Sequence, residues 1–184
     1  LGAYTKIVGD AGVTVNRRSP IPVTTGNSLS ACATLWAAKL AVDKMGMVEV
    51  KDDFYHGVTM IVGATGSIGA VSAKVLCRNW AEIVLVAPRA HKLLELKEEI
   101  NILAPKCKVT IATSPELHSH RCHLIITTTS ARGQKILEIE NVRPGAVICD
   151  VSRPLDISEE DALKRPDVMV IESGEVELPG DYKM

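Results

Sequence analysis

The chain has 184 residues, 46% of them hydrophobic, and a formal net charge of -1 from 21 basic and 22 acidic residues. This length and hydrophobic content can fill one buried core and part of a second lobe. The charge is balanced and forms no basic stripe, which argues against a nucleic-acid partner. The longest apolar runs are the length of strands and too short to span a bilayer. Leu1 begins the chain without the basic-then-apolar order of a signal peptide, so we expect a cytoplasmic piece of a larger protein.

The cysteine pattern supports neither a disulfide framework nor a metal site. There are five cysteines, an odd number, and no Cys-x-x-Cys spacing occurs. We therefore expect no metal, a reducing compartment and a small buried hydrophobic side chain at each position. The five positions are Cys32, Cys77, Cys107, Cys122 and Cys149.

Residues 1–57 are predicted to be a partial substrate-domain segment and a linker helix. Residues 1–8 fit a strand, and the Gly, Asn, Arg and Pro content of 10–22 predicts a loop. Thr-Thr-Gly-Asn-Ser at 24–28 fits a turn that caps a helix. Gly46 and the charged stretch at 49–53 predict where this helix ends. Apolar residues at helical spacing predict its inward face, namely Leu29, Cys32, Ala33, Trp36 and Leu40.

Residues 58–184 are predicted to be an NADP-binding Rossmann domain. Apolar strands separated by helices are typical of an α/β fold, a doubly wound parallel sheet covered on both faces, with strand order 3-2-1-4-5-6. The predicted strands are 58–62, 82–87, 108–112, 123–127, 146–151 and 168–172. The predicted helices are 66–79 and 93–103, with short ones near 134–139 and 159–164.

A glycine-rich turn between the first of these strands and its helix carries the clearest chemical signal. A pyrophosphate needs several backbone N–H donors, and a helix N-terminus supplies them. Glycine, which has no Cβ, lets the ligand approach these donors closely. The spacing is Gly-x-x-Gly-x-x-Gly, not Gly-x-Gly-x-x-Gly, and a glycine turn without a ligand is the alternative. The predicted cofactor-binding residues are Gly63, Ala64, Thr65, Gly66, Ser67, Ile68 and Gly69.

The end of the second strand favours NADP over NAD. NAD-binding folds usually place Asp or Glu here to hold the ribose 2′-hydroxyl. This chain has Val86-Ala87-Pro88-Arg89 instead, and an arginine fork suits a 2′-phosphate. The alternative is that Arg89 is a solvated charge at a helix start.

Later strand ends add further cofactor-binding candidates, because carboxyl ends of parallel strands line the ligand crevice. The fourth strand is followed by Thr128, Thr129 and Ser130. Their hydroxyls are predicted to contact the cofactor ribose or nicotinamide, and the alternative is a polar loop without a ligand. Val151 and Gly174 adjoin the fifth and sixth strands, where the chain passes beneath the nicotinamide ring in this fold.

The chain resembles the long-chain acyl-[acyl carrier protein] reductases of cyanobacteria and their bacterial relatives, a group also described as amino-acid or shikimate-type dehydrogenases. The resemblance covers nearly the whole chain in the right order, and the Thr-Thr-Gly-Asn block is more specific than the glycine turn. Its blocks are residues 1–5, 24–27, 63–69, 150–154 and 172–176.

The resemblance implies reduction of a fatty acyl thioester, carried by acyl carrier protein, to an aldehyde with NADPH. In that family a cysteine takes the acyl group, but it lies further along than the segment matching 172–176, so no cysteine here inherits the role by motif. Thr25, Gly26 and Asn27 would lie where substrate meets cofactor, or would only cap the helix. Arg153 is either an anchor for the acidic carrier or part of a salt bridge.

Two other functions stay open at this point. One is a shikimate- or amino-acid-dehydrogenase-like oxidoreductase, whose Lys/Asp acid–base pair would belong to the other domain. The other is a dinucleotide-binding module that keeps the glycine turn without chemistry.

Overall fold

The computed structural model describes residues 13–23, 26–130 and 135–174. The helices in these ranges are α1 Val13–Arg18, α2 Gly26–Met45, α3 Ser67–Leu76, α4 Ala90–Leu103 and α5 Glu159–Leu163. The strands are β1 Val50–Lys51, β2 Phe54–Val62, β3 Trp80–Val86, β4 Lys108–Ala112, β5 Leu124–Thr127, β6 Val147–Asp150 and β7 Met169–Glu172. None of the described helices is both long and apolar enough to cross a membrane. The strand predicted at 1–8 lies outside the described residues.

The strands form one seven-stranded sheet in the order β4-β3-β2-β5-β6-β7, with β1 paired to β2. All neighbours from β4 to β7 are parallel, which confirms the doubly wound α/β sheet. Counted from β2, the order is the predicted 3-2-1-4-5-6. The antiparallel β1 was not predicted. It pairs through a two-residue turn at Asp52 and Asp53, whose φ angles of 53° and 60° fit the turn type that Asp tolerates.

Both faces of the sheet are buried, because successive apolar residues of each strand point to opposite sides. Ile61, Leu85 and Ile126 belong to the core beneath α2, α3 and α4. Their neighbours Met60, Val84 and Ile125 belong to a second core on the other face. The continuous apolar runs of the sequence are therefore explained by two-sided burial.

Helix α2 forms where predicted, but its predicted inward face was wrong. Leu29, Trp36 and Leu40 are 49%, 73% and 56% exposed, and Cys32 is also exposed. The buried side chains are mostly small, which lets α2 approach α3 and the sheet closely: Ala31, Thr34, Leu35, Ala38, Ala41 and Val42. Several of them share one core with the strands, and a domain division at residue 57 stays a prediction.

Two other local expectations were wrong. The loop predicted at 10–22 contains α1, which buries no side chain and ends in two arginines that suit the negative end of a helix. Residues 135–138 are not helical, and a single 3₁₀ turn follows at Ile139–Asn141. Leu137 and Ile139 are both buried in the second core of the sheet. Residue 134 of that predicted helix lies outside the described residues.

Candidate functional site

The glycine turn lies at the carboxyl end of β2 and leads directly into α3. The N–H groups of Gly63 and Ala64 donate to the Val86 carbonyl at 2.9 and 3.0 Å, which ties the turn to the end of β3. The Gly66 N–H donates to the Gly63 carbonyl at 2.9 Å and closes the turn. Gly63 has a φ of +83°, a conformation that favours glycine.

The turn has no room for side chains at its first and last glycines. A Cβ on Gly63 would lie 2.8 Å from the Thr128 hydroxyl oxygen and 2.9 Å from its carbonyl oxygen. A Cβ on Gly69 would overlap the Gly63 carbonyl oxygen. The glycines therefore let helix, turn and the loop after β5 pack against one another, as the sequence predicts for this motif.

The start of α3 offers backbone donors to a ligand. The first-turn N–H groups of an α-helix have no acceptor within the helix, and in α3 they include those of Ile68 and Gly69. Gly66 at the cap position supplies no side-chain acceptor, and the first turn carries no acidic residue. This end of α3 therefore combines N–H donors with the positive end of a helix dipole, the two features that an anionic group requires.

Arg89 lies at the cap position of α4, just beyond the end of β3, and is exposed. The nearest preceding carboxylate in β3 is Glu82, which bonds Arg121, Lys108 and Thr110. No acidic side chain thus follows β3, in agreement with the sequence.

The three residues after β5 differ in their surroundings. The Thr128 hydroxyl lies 3.0 Å from the Val62 carbonyl and 3.2 Å from the Gly63 carbonyl, so its hydrogen bonds support the glycine turn. The Thr129 hydroxyl donates to the Asp156 carboxylate at 2.7 Å. Ser130 is exposed.

Two carboxylates organise the loop after β6. Asp150, 1% exposed, accepts from the Thr127 hydroxyl at 2.7 Å and from the N–H groups of Ser152 and Ile157 at 2.9 Å each. Asp156 accepts from the hydroxyls of Thr129 and Ser152. Burial raises the pKa of the Asp156 carboxyl, and these two hydrogen bonds oppose that effect. Sequence reasoning missed Asp156, and its only signal was a polar residue shortly after a strand end.

The start of α2 and the end of β7 complete this edge. The Asn27 amide donates to the Ser67 hydroxyl at 3.1 Å, and Ser30 donates to the Gly174 carbonyl at 3.0 Å. Gly174 has a φ of +98°, and a Cβ there would lie 3.1 Å from Val151. The structure thus brings Asn27 beside the glycine turn, and Gly26 precedes it as the first residue of α2. Thr25 lies outside the described residues.

Arg153 is held within the same edge. Its guanidinium donates to the Ser152 carbonyl at 2.8 Å and to the Ser173 carbonyl at 3.0 Å. It also lies 3.3 Å from a Glu172 carboxylate oxygen. These contacts favour the salt-bridge interpretation of Arg153 over an anchor for an acidic partner.

Four of the five cysteines are buried, whereas Cys32 is exposed, so the prediction of burial was wrong for Cys32. Burial raises the pKa of Cys107, Cys122 and Cys149 to about 12 each. Burial also raises the pKa of Cys77. Across the part of the chain that the structure describes, no three His, Cys, Asp or Glu side chains are grouped as metal ligands would be.

Comparison with known proteins gives relatives in sequence and in structure. No protein-family model matches the chain. The chain is 30% identical over 179 residues to the aminotransferase PigE of Serratia sp. (strain ATCC 39006). That alignment covers 95% of this chain and 20% of PigE, so the chain spans about a fifth of its relative.

The solved structures share the fold at low sequence identity. A dipicolinate synthase component of Bacillus halodurans has a TM-score of 0.57 and 11% identity, over 79% of this chain and 47% of that one. Quinate dehydrogenase of Corynebacterium glutamicum, in complex with NAD, has a TM-score of 0.54 and 10% identity, over 77% and 51%. The 5-ketofructose reductase of Gluconobacter sp. strain CHM43 has a TM-score of 0.52 and 16% identity, over 74% and 50%. The chain thus has the Rossmann fold found in these proteins.

Proposed function

We propose that the chain binds a nicotinamide dinucleotide along the carboxyl edge of its sheet and forms the cofactor domain of an oxidoreductase. The observation that carries this proposal is the glycine turn, because a Cβ on Gly63 or Gly69 would overlap its surroundings. Beside it, the N–H groups at the start of α3 would hold the pyrophosphate. Such a cofactor, when bound, exchanges a hydride with a substrate.

The oxidoreductase class is supported by two fold relatives that hold such a cofactor. Quinate dehydrogenase was solved with NAD, and the yhdH oxidoreductase of Salmonella enterica, with a TM-score of 0.50 and 17% identity, was solved with NADP. Their cofactors differ, so the choice between NAD and NADP rests on Arg89. We propose NADP, since Arg89 is exposed at the end of β3 where no carboxylate follows.

The proposed substrate is an acyl thioester, reduced to an aldehyde, as the resemblance to acyl-[acyl carrier protein] reductases implies. Gly26 and Asn27 support a substrate entrance here, because the Asn27 amide contacts Ser67 at the start of α3. PigE, of which the chain matches 20%, is named as an aminotransferase. Aminotransferases act on carbonyl compounds, so that name supports an aldehyde as the product of this chain.

A charge placed at the start of α3 tests the dinucleotide site. Ser67→Glu sets a carboxylate where the helix dipole favours it, but where it repels a bound pyrophosphate. Ser67→Gln is the matched neutral control, since both variants remove the hydroxyl that Asn27 contacts. We expect both variants to melt like the wild type, and NADPH to bind Ser67→Glu about tenfold or more weakly than Ser67→Gln.

The titration follows nicotinamide fluorescence with NADPH and NADH. Equal affinities of the Glu and Gln variants would show that the ligand does not lie at this helix end. A wild-type chain that binds neither dinucleotide would overturn the proposed function itself.

A further inference from the structure

We propose that Asp156 is a positioning residue that joins the loops after β5 and β6 into the part of the site that receives the nicotinamide half of the dinucleotide. This inference rests on the proposed function. It concerns a residue outside the glycine turn, in the loop after β6.

Asp156 bonds two loops that leave neighbouring strands. β5 and β6 pair in parallel, with Thr127 opposite Asp150, and each ends at that residue. Thr129 and Ser152 each lie two residues past those ends, so both belong to the carboxyl edge of the sheet. Ligands of open parallel sheets bind at this edge.

The hydrogen bonds give the Asp156 carboxylate control over both loops. The Thr129 hydroxyl donates to its two oxygens at 2.7 and 2.9 Å, and the Ser152 hydroxyl donates at 2.9 Å. The Ser152 oxygen in turn accepts the Thr129 N–H at 3.0 Å. One carboxylate therefore orients both hydroxyls and closes a ring of hydrogen bonds between the loops.

Asp150 has a different role, although it ends the strand β6 from which the loop of Asp156 leaves. Its acceptor oxygens bond the Thr127 hydroxyl and backbone N–H groups that follow it in its own loop. It is 1% exposed and holds the shape of that loop. Asp156 is the carboxylate that reaches the Thr129 side chain, which the sequence places among the cofactor contacts.

The sheet order separates the two halves of an extended dinucleotide. Arg89 follows β3 and the glycine turn follows β2. Asp156 bonds residues just past the ends of β5 and β6, which lie on the other side of β2. With the pyrophosphate at the turn and the adenosine half toward Arg89, the nicotinamide half must lie toward β5 and β6. A substitution of Asp156 should therefore weaken the binding of the nicotinamide half and leave the binding of the adenosine half unchanged.

Two ligands distinguish these halves. NADPH carries both, whereas adenosine 2′,5′-bisphosphate carries the adenosine and 2′-phosphate without the nicotinamide. We expect Asp156→Asn to weaken NADPH binding about tenfold or more, since the negative charge is lost and one of the two acceptor oxygens becomes an NH2 donor. Binding of adenosine 2′,5′-bisphosphate should stay within about twofold of wild type, because its contacts lie elsewhere. Calorimetric titration of the whole chain measures both affinities.

Ser152→Ala is the second variant, and it keeps the test decisive where Asp156→Asn does not fold. Ser152 is 1% exposed, so it reaches a ligand only through its bonds to Asp156 and Thr129. We expect the same selective loss for NADPH. Asp167→Asn is the matched control, because Asp167 pairs with Arg165 just before β7, at the opposite edge of the sheet.

The outcomes separate the two proposals. Equal weakening of both ligands, or no weakening of either, would overturn the role of Asp156 and leave the dinucleotide site standing. A wild-type chain that binds neither ligand would overturn the proposed function and this inference with it. A selective loss of NADPH in Asp156→Asn and Ser152→Ala, with Asp167→Asn unchanged, would support the inference.

Discussion

Arg89 is the residue that should separate the two nicotinamide dinucleotides, because they differ by a single 2′-phosphate. Arg89 lies at the cap position of α4, just beyond the end of β3. Its guanidinium presents a planar set of hydrogen-bond donors. The carboxylate that would bind a 2′-hydroxyl is missing from this position, and Glu82 further back is bonded to Arg121 at 2.7 Å. Charge at this end of the crevice therefore favours a phosphate over a hydroxyl.

Replacing Arg89 with alanine should abolish the preference for NADP(H). We expect the loss of about 1.5–3 kcal/mol of binding free energy for NADP and little change for NAD, since only the phosphate contact is removed. Titration of both cofactors against wild type and variant measures this. Arg78→Ala is the control, because Arg78 is exposed in the turn after α3, away from the carboxyl edge. Equal affinities of the wild type for NAD and NADP would contradict the prediction.

At the scale of elements, α2 shows why a correct helix can be assigned the wrong face. Large apolar residues and small ones both repeat at helical spacing along it, and hydrophobicity alone favours burial of the large ones. The structure instead buries Ala31, Ala38 and Ala41 and leaves Trp36 and Leu40 mostly exposed. Alanines allow close packing against α3 and the sheet, which large side chains at those positions would prevent.

Substitutions on the two faces of α2 test this packing. Ala38 is 0% exposed, so Ala38→Leu should destabilise the chain by about 1–3 kcal/mol through overpacking. Leu40→Gln, on the face that is 56% exposed, should change the free energy of unfolding by no more than about 0.5 kcal/mol. Urea denaturation measures both. A larger cost for Leu40→Gln than for Ala38→Leu would restore the face predicted from the sequence.

Sequence patterns predicted those parts of the fold that depend on local order. Six parallel strands follow from apolar runs between helices, and the glycine turn follows from its position between β2 and α3. The Asp156 network could not be predicted, because it joins Thr129, Ser152 and Asp156 from two loops that meet only after β5 and β6 pair. The irregular conformation of residues 135–138 was missed for a related reason, because Leu137 is buried in a core that local sequence does not show.

The stability of the whole molecule should depend on one buried carboxylate. Burial alone would raise the pKa of Glu82, but hydrogen bonds from Arg121, Thr110 and Lys108 outweigh it and lower the pKa to about 2. Because the folded-state pKa lies below the unfolded value, Glu82 stabilises the fold above about pH 4.5, and this stability is lost as the pH falls toward 2. These bonds join β3, β4 and the turn Ser119–Arg121.

Glu82→Gln should therefore remove a pH dependence as well as stability. We expect the free energy of unfolding of the wild type to exceed that of the variant by about 3 kcal/mol at pH 7. This difference should shrink as the pH falls from 4.5 toward 2. Urea denaturation across this pH range gives the difference at each point. Glu98→Gln is the control, since it makes the same chemical change at an exposed position of α4. A difference that does not vary with pH would contradict the assignment.

The last prediction concerns the activity of the 184-residue chain as a whole: with NADPH and a long-chain acyl thioester, it should form no aldehyde. Covalent catalysis by the route that the resemblance implies needs a thiolate close to the nicotinamide. With a pKa of about 12, Cys107, Cys122 and Cys149 would each be about 10⁻⁵ thiolate at pH 7. Cys77 is buried at the end of α3, away from the carboxyl edge.

Cys32 is the thiol that most needs testing, because it is exposed. It lines an apolar cavity of about 170 Å³ between α2 and α3, together with Trp36, Val71 and Val75. That cavity continues toward Tyr55, Trp80 and Leu124, at the amino ends of their strands, so it leads away from the edge where hydride would be delivered. Mass spectrometry after incubation reports any acylated cysteine, and an aldehyde assay reports turnover. Aldehyde formation that disappears in Cys32→Ser would show that Cys32 is the nucleophile. It would also show that the hydride site lies nearer to α2 than the strand ends indicate.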